Sequence, residues 1–152
     1  MKSAYRVFAY LIALEVMVQA AAIAFAIFGF GKWIEDGHTA TKAVMEDSNT
    51  KFTGVLGFAV HGINGMMIIP VLAILFLVVS FFAKVPGGVK WAGFTFLAVA
   101  VQVALGLTAH SVPQLGALHG INALILFGVA ITAGRRVGSH ATVTDPQEAA
   151  LV

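Results

Sequence analysis

The stretch GVLGFAVHGINGMMIIPVLAILFLVVSFFA, residues 54–83, contains no Asp, Glu, Lys or Arg and is long enough to cross a lipid bilayer as a helix. Residues 5–30, 91–110 and 115–133 form three further stretches that are mostly apolar. Hydrophobic residues make up 59% of the 152-residue chain and charged residues 11%, which is more apolar surface than one soluble core of this size buries. No stretch alternates apolar and polar residues as membrane barrel strands do, so we predict an all-α integral membrane protein with four spanning helices.

The distribution of charge predicts how these helices cross the membrane. Lys and Arg residues fall mainly near the two termini and between the second and third helices, which places both termini in the cytoplasm. The predicted four-helix transmembrane domain covers residues 1–133, and residues 134–152 are predicted to be a mobile cytoplasmic tail because they show no apolar periodicity. The net charge of +2 reflects this topology, and no nucleic-acid partner is predicted.

Two short motifs nearly repeat each other, VHGING at residues 60–65 in the second helix and LHGINA at residues 118–123 in the fourth. The dipeptide VQ also occurs in the helix before each motif, at residues 18–19 and 101–102. We therefore predict an up-down-up-down bundle made of two repeated hairpins, in which the second and fourth helices run parallel across a diagonal. At the rise of an α-helix, His61 lies about 10 Å and His119 about 8 Å from the outer ends of their helices, so the two rings are predicted to be level.

A histidine in hydrocarbon costs free energy unless it has a partner, and two histidines at one depth suggest a shared ligand. We interpret His61 and His119 as the two axial metal ligands of one non-covalent haem b. The chain has no cysteine, which excludes covalent haem attachment and Cys-ligated iron–sulfur clusters. The alternative is that both rings are buried structural hydrogen-bonding groups. Small residues beside the histidines leave room for a porphyrin, but they also serve ordinary helix packing.

Five further side chains are candidate cofactor-binding groups. Asn64 and Asn122 are equally suited to hold a haem propionate or to cross-link helices. Gln19 and Gln102 lie on helix faces that can both point toward the interior of the predicted bundle. His110, at the outer end of the third helix, is a propionate partner, a quinol-site base, an alternative axial ligand or a solvated helix-end residue.

Two other residues interrupt the apolar pattern. Glu15 falls near the middle of the first helix, where it is either a proton-linked or quinone-linked group or a protonated carboxyl bonded to a neighbouring Gln. Pro70 lies inside the second helix, about two turns after His61. Because proline lacks an N–H and its ring clashes with the preceding turn, we expect it to bend or loosen that helix.

Gln19, His61, Gln102 and the run LHGINAL at residues 118–124 resemble an uncharacterised family of small bacterial four-helix membrane proteins, in which a Gln helix precedes each His helix. The resemblance covers most of residues 5–133. More distantly, the chain is similar to one half of haem A synthase and to the four-helix cytochromes b, whose paired histidines on the second and fourth helices hold a haem. The resemblance implies axial-ligand roles for His61 and His119 and a bacterial inner membrane location. Residues 58–60, FAV, supply no acidic residue or arginine ahead of His61, so the oxidative chemistry of the synthase is not implied.

These features predict a membrane haem protein that acts in electron transfer or as a haem-containing subunit of a respiratory complex. A six-coordinate iron leaves no open position for a substrate, which favours these roles over a stand-alone enzyme. The predicted partners are the lipid bilayer and a quinone or respiratory complex, and a homo-oligomer remains open. The alternatives are a haem-free accessory or assembly subunit and a small transporter. A transporter with only four helices would need to form an oligomer.

Overall fold

The computed structural model describes residues 1–47 and 49–138. All regular secondary structure in this part of the chain is helical. Its α-helices are α1 (Lys2–Glu35), α2 (Lys42–Glu46), α3 (Val55–Ile63), α4 (Ile69–Phe82), α5 (Gly88–Ala109) and α6 (Gln114–Arg135). A π-helical segment, Asn64–Ile68, joins α3 to α4, and a 3-10 turn, Arg136–Gly138, follows α6.

Four helical stretches in the described residues are long and apolar enough to cross a membrane, which agrees with the predicted number. They are Lys2–Glu35, Val55–Phe82, Gly88–Ala109 and Gln114–Gly138. Their outward surfaces carry large apolar side chains, of which Phe28, Leu124 and Leu56 are 80%, 74% and 73% exposed. Extensive apolar surface of this kind is unfavourable in water and is suited to contact with lipid.

Two ends of the predicted helices differ from the structure. The first helix continues past the predicted residue 30 to Glu35, because no proline interrupts it and Lys32 pairs with Asp36 one turn further on. Residues 134–138, which were predicted to belong to the mobile tail, continue α6 and its 3-10 turn. The Arg136 guanidinium lies 4.9 Å from the centre of the Trp91 ring, a contact that holds this segment against α5. The remainder of the predicted tail, including His140, lies outside the described residues.

The long helices pack in sequence order. Helix α1 contacts α3 and α4, α4 contacts α5, and α5 contacts α6. Helix α6 also packs against α1, so the first and last long helices are neighbours. The elements that carry the two histidines, α3 and α6, therefore each lie against α1.

Fully buried side chains concentrate at one end of the molecule, where the start of α1 meets α4, the first half of α5 and the end of α6. Tyr5, Phe76 and Leu126 are among the largest buried residues there. The Tyr5 hydroxyl donates a hydrogen bond of 3.0 Å to the Gly88 carbonyl oxygen. Few residues are fully buried in the half that contains His61 and His119, so the helices fit together most closely away from the histidines.

Glycines bring the backbones of α1 and α3 into direct contact near His61. A Cβ atom at Gly57 would lie 2.3 Å from the Ala22 carbonyl oxygen, and one at Gly29 would lie 1.6 Å from the Thr53 carbonyl oxygen. Gly54, which precedes α3, has a φ of +93°, a conformation that glycine adopts without strain. This close approach fixes the position of α3, and therefore of His61, relative to α1.

Candidate histidine site

The imidazole rings of His61 and His119 lie side by side although they belong to different hairpins. Their centroids are 6.1 Å apart and their planes make an angle of 63°. Both residues are half-buried. The fold therefore brings together the two rings that the motif repeat singled out.

Each imidazole is oriented by a backbone carbonyl of the preceding long helix. Nδ1 of His61 lies 3.2 Å from the Gln19 carbonyl oxygen, and Nδ1 of His119 lies 3.0 Å from the Gln102 carbonyl oxygen. Because a carbonyl oxygen only accepts hydrogen bonds, Nδ1 of His119 carries the ring proton and its Nε2 keeps a lone pair. The two sequence motifs therefore make equivalent contacts, since each His ring lies against the backbone carbonyl of a repeated Gln.

The two asparagines cross-link the helices of their own hairpins. The Asn122 amide nitrogen donates to Oε1 of Gln102 at 2.7 Å and to the Ala98 carbonyl oxygen at 2.9 Å. The Asn64 amide nitrogen donates to Oε2 of Glu15 at 2.6 Å. Glu15 and Ala98 each stand four residues before a repeated Gln, so a carboxylate in the first hairpin takes the place of a backbone carbonyl in the second.

The Gln19 side chain inserts between α3 and α4, at the π-helical segment that joins them. In the orientation that gives both amide atoms complementary partners, Oε1 accepts from the Gly65 N–H at 3.0 Å and from the Asn64 amide at 3.2 Å, and Nε2 donates to the His61 carbonyl oxygen at 3.0 Å. In an α-helix the His61 carbonyl and the Gly65 N–H would bond to each other, so the Gln19 amide replaces that bond. The π-helical segment starts at this point and ends just before α4, which opens with Ile69 and Pro70. The helix is therefore loosened where Pro70 was expected to loosen it.

The Gln19 amide also determines where the His61 ring carries its proton. In the same orientation Nε2 of Gln19 lies 2.6 Å from Nδ1 of His61. Nδ1 then accepts from the amide, the ring proton lies on Nε2, and Nδ1 makes no hydrogen bond to the Gln19 backbone carbonyl beside it. With the amide reversed, its oxygen faces Nδ1, which donates, and Nε2 of His61 keeps the lone pair. One carboxamide thus selects between the two tautomers of His61.

Gly106 provides the space for the His119 ring. A Cβ atom at residue 106 would lie 3.1 Å from Cε1 and 3.3 Å from Nδ1 of His119. Gly106 follows Gln102 by four residues, so both lie on one face of α5, but this spacing alone does not reveal the contact with His119. His110 follows the last residue of α5, is exposed, and lies outside the hydrogen-bond network of the two histidines.

The side chains of the site limit the cofactors that it can hold. Over residues 1–47 and 49–138, no group of three or more His, Cys, Asp or Glu side chains is arranged to hold a metal ion. Two histidines leave a structural zinc site incomplete, since zinc takes four protein ligands there. Two histidines would be enough protein ligands for a haem iron, because the porphyrin would provide the other donors. No protein-family model, curated protein or solved structure matches this chain.

Proposed function

We propose that this chain is an integral membrane protein that binds one haem b between His61 and His119, and that it serves as an electron-transfer protein or as a haem subunit of a respiratory complex. The observation that carries the proposal is the distance of 6.1 Å between the two ring centroids. A metal ion lies about 2.0 to 2.1 Å from an imidazole nitrogen, and the ring centroid lies about 1.1 Å further on, so two imidazoles on opposite sides of one ion have centroids about 6.3 Å apart. The two values agree closely.

The hydrogen bonds at Nδ1 support the same proposal. Histidines that bind metals through Nε2 usually donate from Nδ1 to a carbonyl or carboxylate oxygen, which fixes the tautomer and the ring orientation. His119 has this arrangement through the Gln102 carbonyl. For His61 the Gln19 carbonyl oxygen lies 3.2 Å from Nδ1, but Nδ1 donates to it only when the Gln19 amide is reversed, and its nitrogen then faces the Gly65 N–H. The support from the Nδ1 hydrogen bonds therefore comes from His119.

A bound haem supplies one-electron chemistry. His61 and His119 would hold the iron, and a haem bound by both would leave no coordination position for a substrate. The residues of the chain then orient the rings: the backbone carbonyls of Gln19 and Gln102 hold Nδ1, and the amide of Asn122 ties α6 to α5. This arrangement supports electron transfer as the proposed role.

The proposed setting is a bacterial inner membrane crossed by an up-down-up-down bundle. Support comes from the exposed apolar side chains and from the sequential packing of the long helices. The positive-inside rule puts the end of the bundle with the most Lys and Arg on the cytoplasmic side, together with both termini. The cationic residues at that end are Lys2, Arg6, Lys84, Lys90, Arg135 and Arg136.

A haem-free accessory subunit is a second candidate. It is favoured by the hydrogen bonds of the polar groups near the histidines: within the described part of the chain, every buried side-chain nitrogen or oxygen atom has a partner. Such a closed network can organise helix packing without a ligand.

Absorption spectra of the purified protein separate the two candidates. Protein produced with ample haem should show a Soret band and sharp α and β bands after reduction, and His61→Ala and His119→Ala should each lose most of this absorbance because one axial ligand is missing. His110→Ala is the matched control and should keep the spectrum, since His110 is exposed and outside the network. Colourless unmutated protein would contradict haem binding and favour the accessory subunit.

A further inference from the structure

Two cationic side chains near the start of α5 lie over aromatic rings. The Arg136 guanidinium is 4.9 Å from the centre of the Trp91 ring, and Nζ of Lys90 is 5.6 Å from the centre of the Phe94 ring. The two rings contact each other edge to face, with their centroids 5.9 Å apart. One aromatic pair therefore holds a guanidinium and an ammonium group close together, and both cationic residues are exposed.

The acidic residues of the described ranges lie away from this pair of cations. Glu15 is near the middle of α1, and the others stand where α1 and α2 end, at the opposite end of the bundle. The ion pairs among residues 1–47 and 49–138 are confined to that opposite end as well. The cationic end therefore carries positive charge that no carboxylate in this part of the chain balances.

An exposed apolar strip runs along α5 from the cationic pair toward the middle of the bundle. It consists of Phe94, Leu97 and Val101, whose side chains are all exposed. Lys90 and these three residues are spaced by four, three and four positions, so they lie on one face of the helix. At the rise of an α-helix, the distance from Lys90 to Val101 is about 16 Å, which is about half the thickness of the hydrocarbon core. The strip therefore matches an acyl chain within one leaflet.

We propose that Arg136 and the first three turns of α5 form a binding site for one anionic phospholipid of the cytoplasmic leaflet. Its phosphate oxygens accept hydrogen bonds from the Arg136 guanidinium and the Lys90 ammonium, and one acyl chain lies along the apolar strip. A soluble phosphate would use the cations alone, whereas a phospholipid also covers the exposed apolar side chains on the same helix face. The inference needs only insertion into a membrane and is independent of haem binding.

The test uses the fluorescence of Trp91, which lies at the proposed site. The chain has two tryptophans, so Trp33→Phe leaves Trp91 as the single tryptophan in the full-length protein. This protein is placed in phosphatidylcholine nanodiscs that contain either brominated phosphatidylglycerol or brominated phosphatidylcholine, because bromine quenches a tryptophan only at short range. Each Lys or Arg near an anionic lipid contributes about a fivefold preference, so we expect phosphatidylglycerol to be preferred beside Trp91 by about tenfold or more.

Substitutions of the cations identify the groups that bind the phosphate. Arg136→Gln and Lys90→Gln should each lower the preference about fivefold, whereas Arg136→Lys should keep most of it because the charge remains. Lys2→Gln is the matched control, since it removes one charge from the same end of the bundle but Lys2 lies over neither ring. It should change the preference by about twofold at most, because salt screens charges that are not in direct contact.

Four results would overturn the inference. Equal quenching by the two lipids in the single-tryptophan protein does so even if the Gln variants fail to fold. An equal loss of preference in Lys2→Gln and Arg136→Gln would show diffuse surface charge in place of a site. A preference that disappears when inorganic phosphate replaces chloride at equal ionic strength would identify a soluble phosphate as the occupant. A preference that appears only after Asp145→Asn and Glu148→Gln would show that residues 139–152 neutralise the cations.

Discussion

Substituting Gly106 by alanine tests whether the His119 ring is held as tightly as the structure indicates. The new Cβ atom would lie 3.1 Å from Cε1 and 3.3 Å from Nδ1 of that ring. Carbon atoms in ordinary contact are about 3.5 to 4.0 Å apart, so the ring has to retreat by about 0.4 Å or more. The Gln102 carbonyl limits this movement, because Nδ1 is bonded to it at 3.0 Å.

The expected size of the effect follows from two opposing contributions. Overpacking of this kind lowers the free energy of unfolding by about 1 to 3 kcal/mol. Alanine in place of glycine inside a helix raises it by about 1 kcal/mol. Gly106→Ala should therefore be between neutral and about 2 kcal/mol less stable than the unmutated protein. Gly120→Ala is the matched control, since nothing lies within 4 Å of a Cβ atom there and only the favourable contribution applies.

The assay is reversible unfolding in mixed detergent micelles, followed by circular dichroism, for both variants in parallel. The difference between them should be about 1 to 3 kcal/mol, with Gly106→Ala the less stable. If the protein binds haem as proposed, a displaced ring would bind the iron less well, and haem should be released faster from Gly106→Ala than from Gly120→Ala. Equal unfolding free energies would refute the proposed contact between residue 106 and the ring.

Two further predictions use the same unfolding assay. Gly57→Ala puts a Cβ atom 2.3 Å from the Ala22 carbonyl oxygen, and because backbone cannot yield as a side chain does, we expect a loss of about 3 kcal/mol or more. Gly31→Ala is the control, because nothing lies within 4 Å of a Cβ atom there, and it should leave the stability unchanged or raise it. An equal loss of unfolding free energy in Gly57→Ala and Gly31→Ala would contradict close packing of α1 on α3. Tyr5→Phe removes a buried hydrogen bond to a backbone carbonyl and should cost about 1 kcal/mol, so an unchanged stability would show that this bond contributes nothing.

Helix ends were the least predictable part of the fold. The predicted third and fourth helices, residues 91–110 and 115–133, differ by only a few residues from Gly88–Ala109 and Gln114–Arg135. The end of the first helix was placed too early because Gly31 and the charged residues after it resemble a loop. In the structure Gly31 has open space around it. Helix α1 continues through this residue and ends at Glu35. Local composition does not predict where α1 ends, because the end of the helix depends on how much space the neighbouring parts of the chain leave around it.

The π-helical segment could be anticipated only in part. Pro70 lacks an N–H, which is visible in the sequence and predicts a weakened helix. The other cause is the Gln19 amide, which comes from a different helix and takes the place of the bond between the His61 carbonyl and the Gly65 N–H. No pattern within residues 54–83 signals that insertion.

The sequence by itself determined the helical class, the four long apolar helices and the pair of histidines, because hydrophobicity and motif spacing are local properties of the chain. Only the tertiary structure decided that the two rings lie 6.1 Å apart, that Gln19 opens the helix after His61, and that Asn64 bonds to Glu15. Those contacts join residues 58, 42 and 49 positions apart in the sequence. Their geometry depends on how closely α1 and α3 approach through Gly29 and Gly57, and that approach is a property of packing rather than of either segment alone.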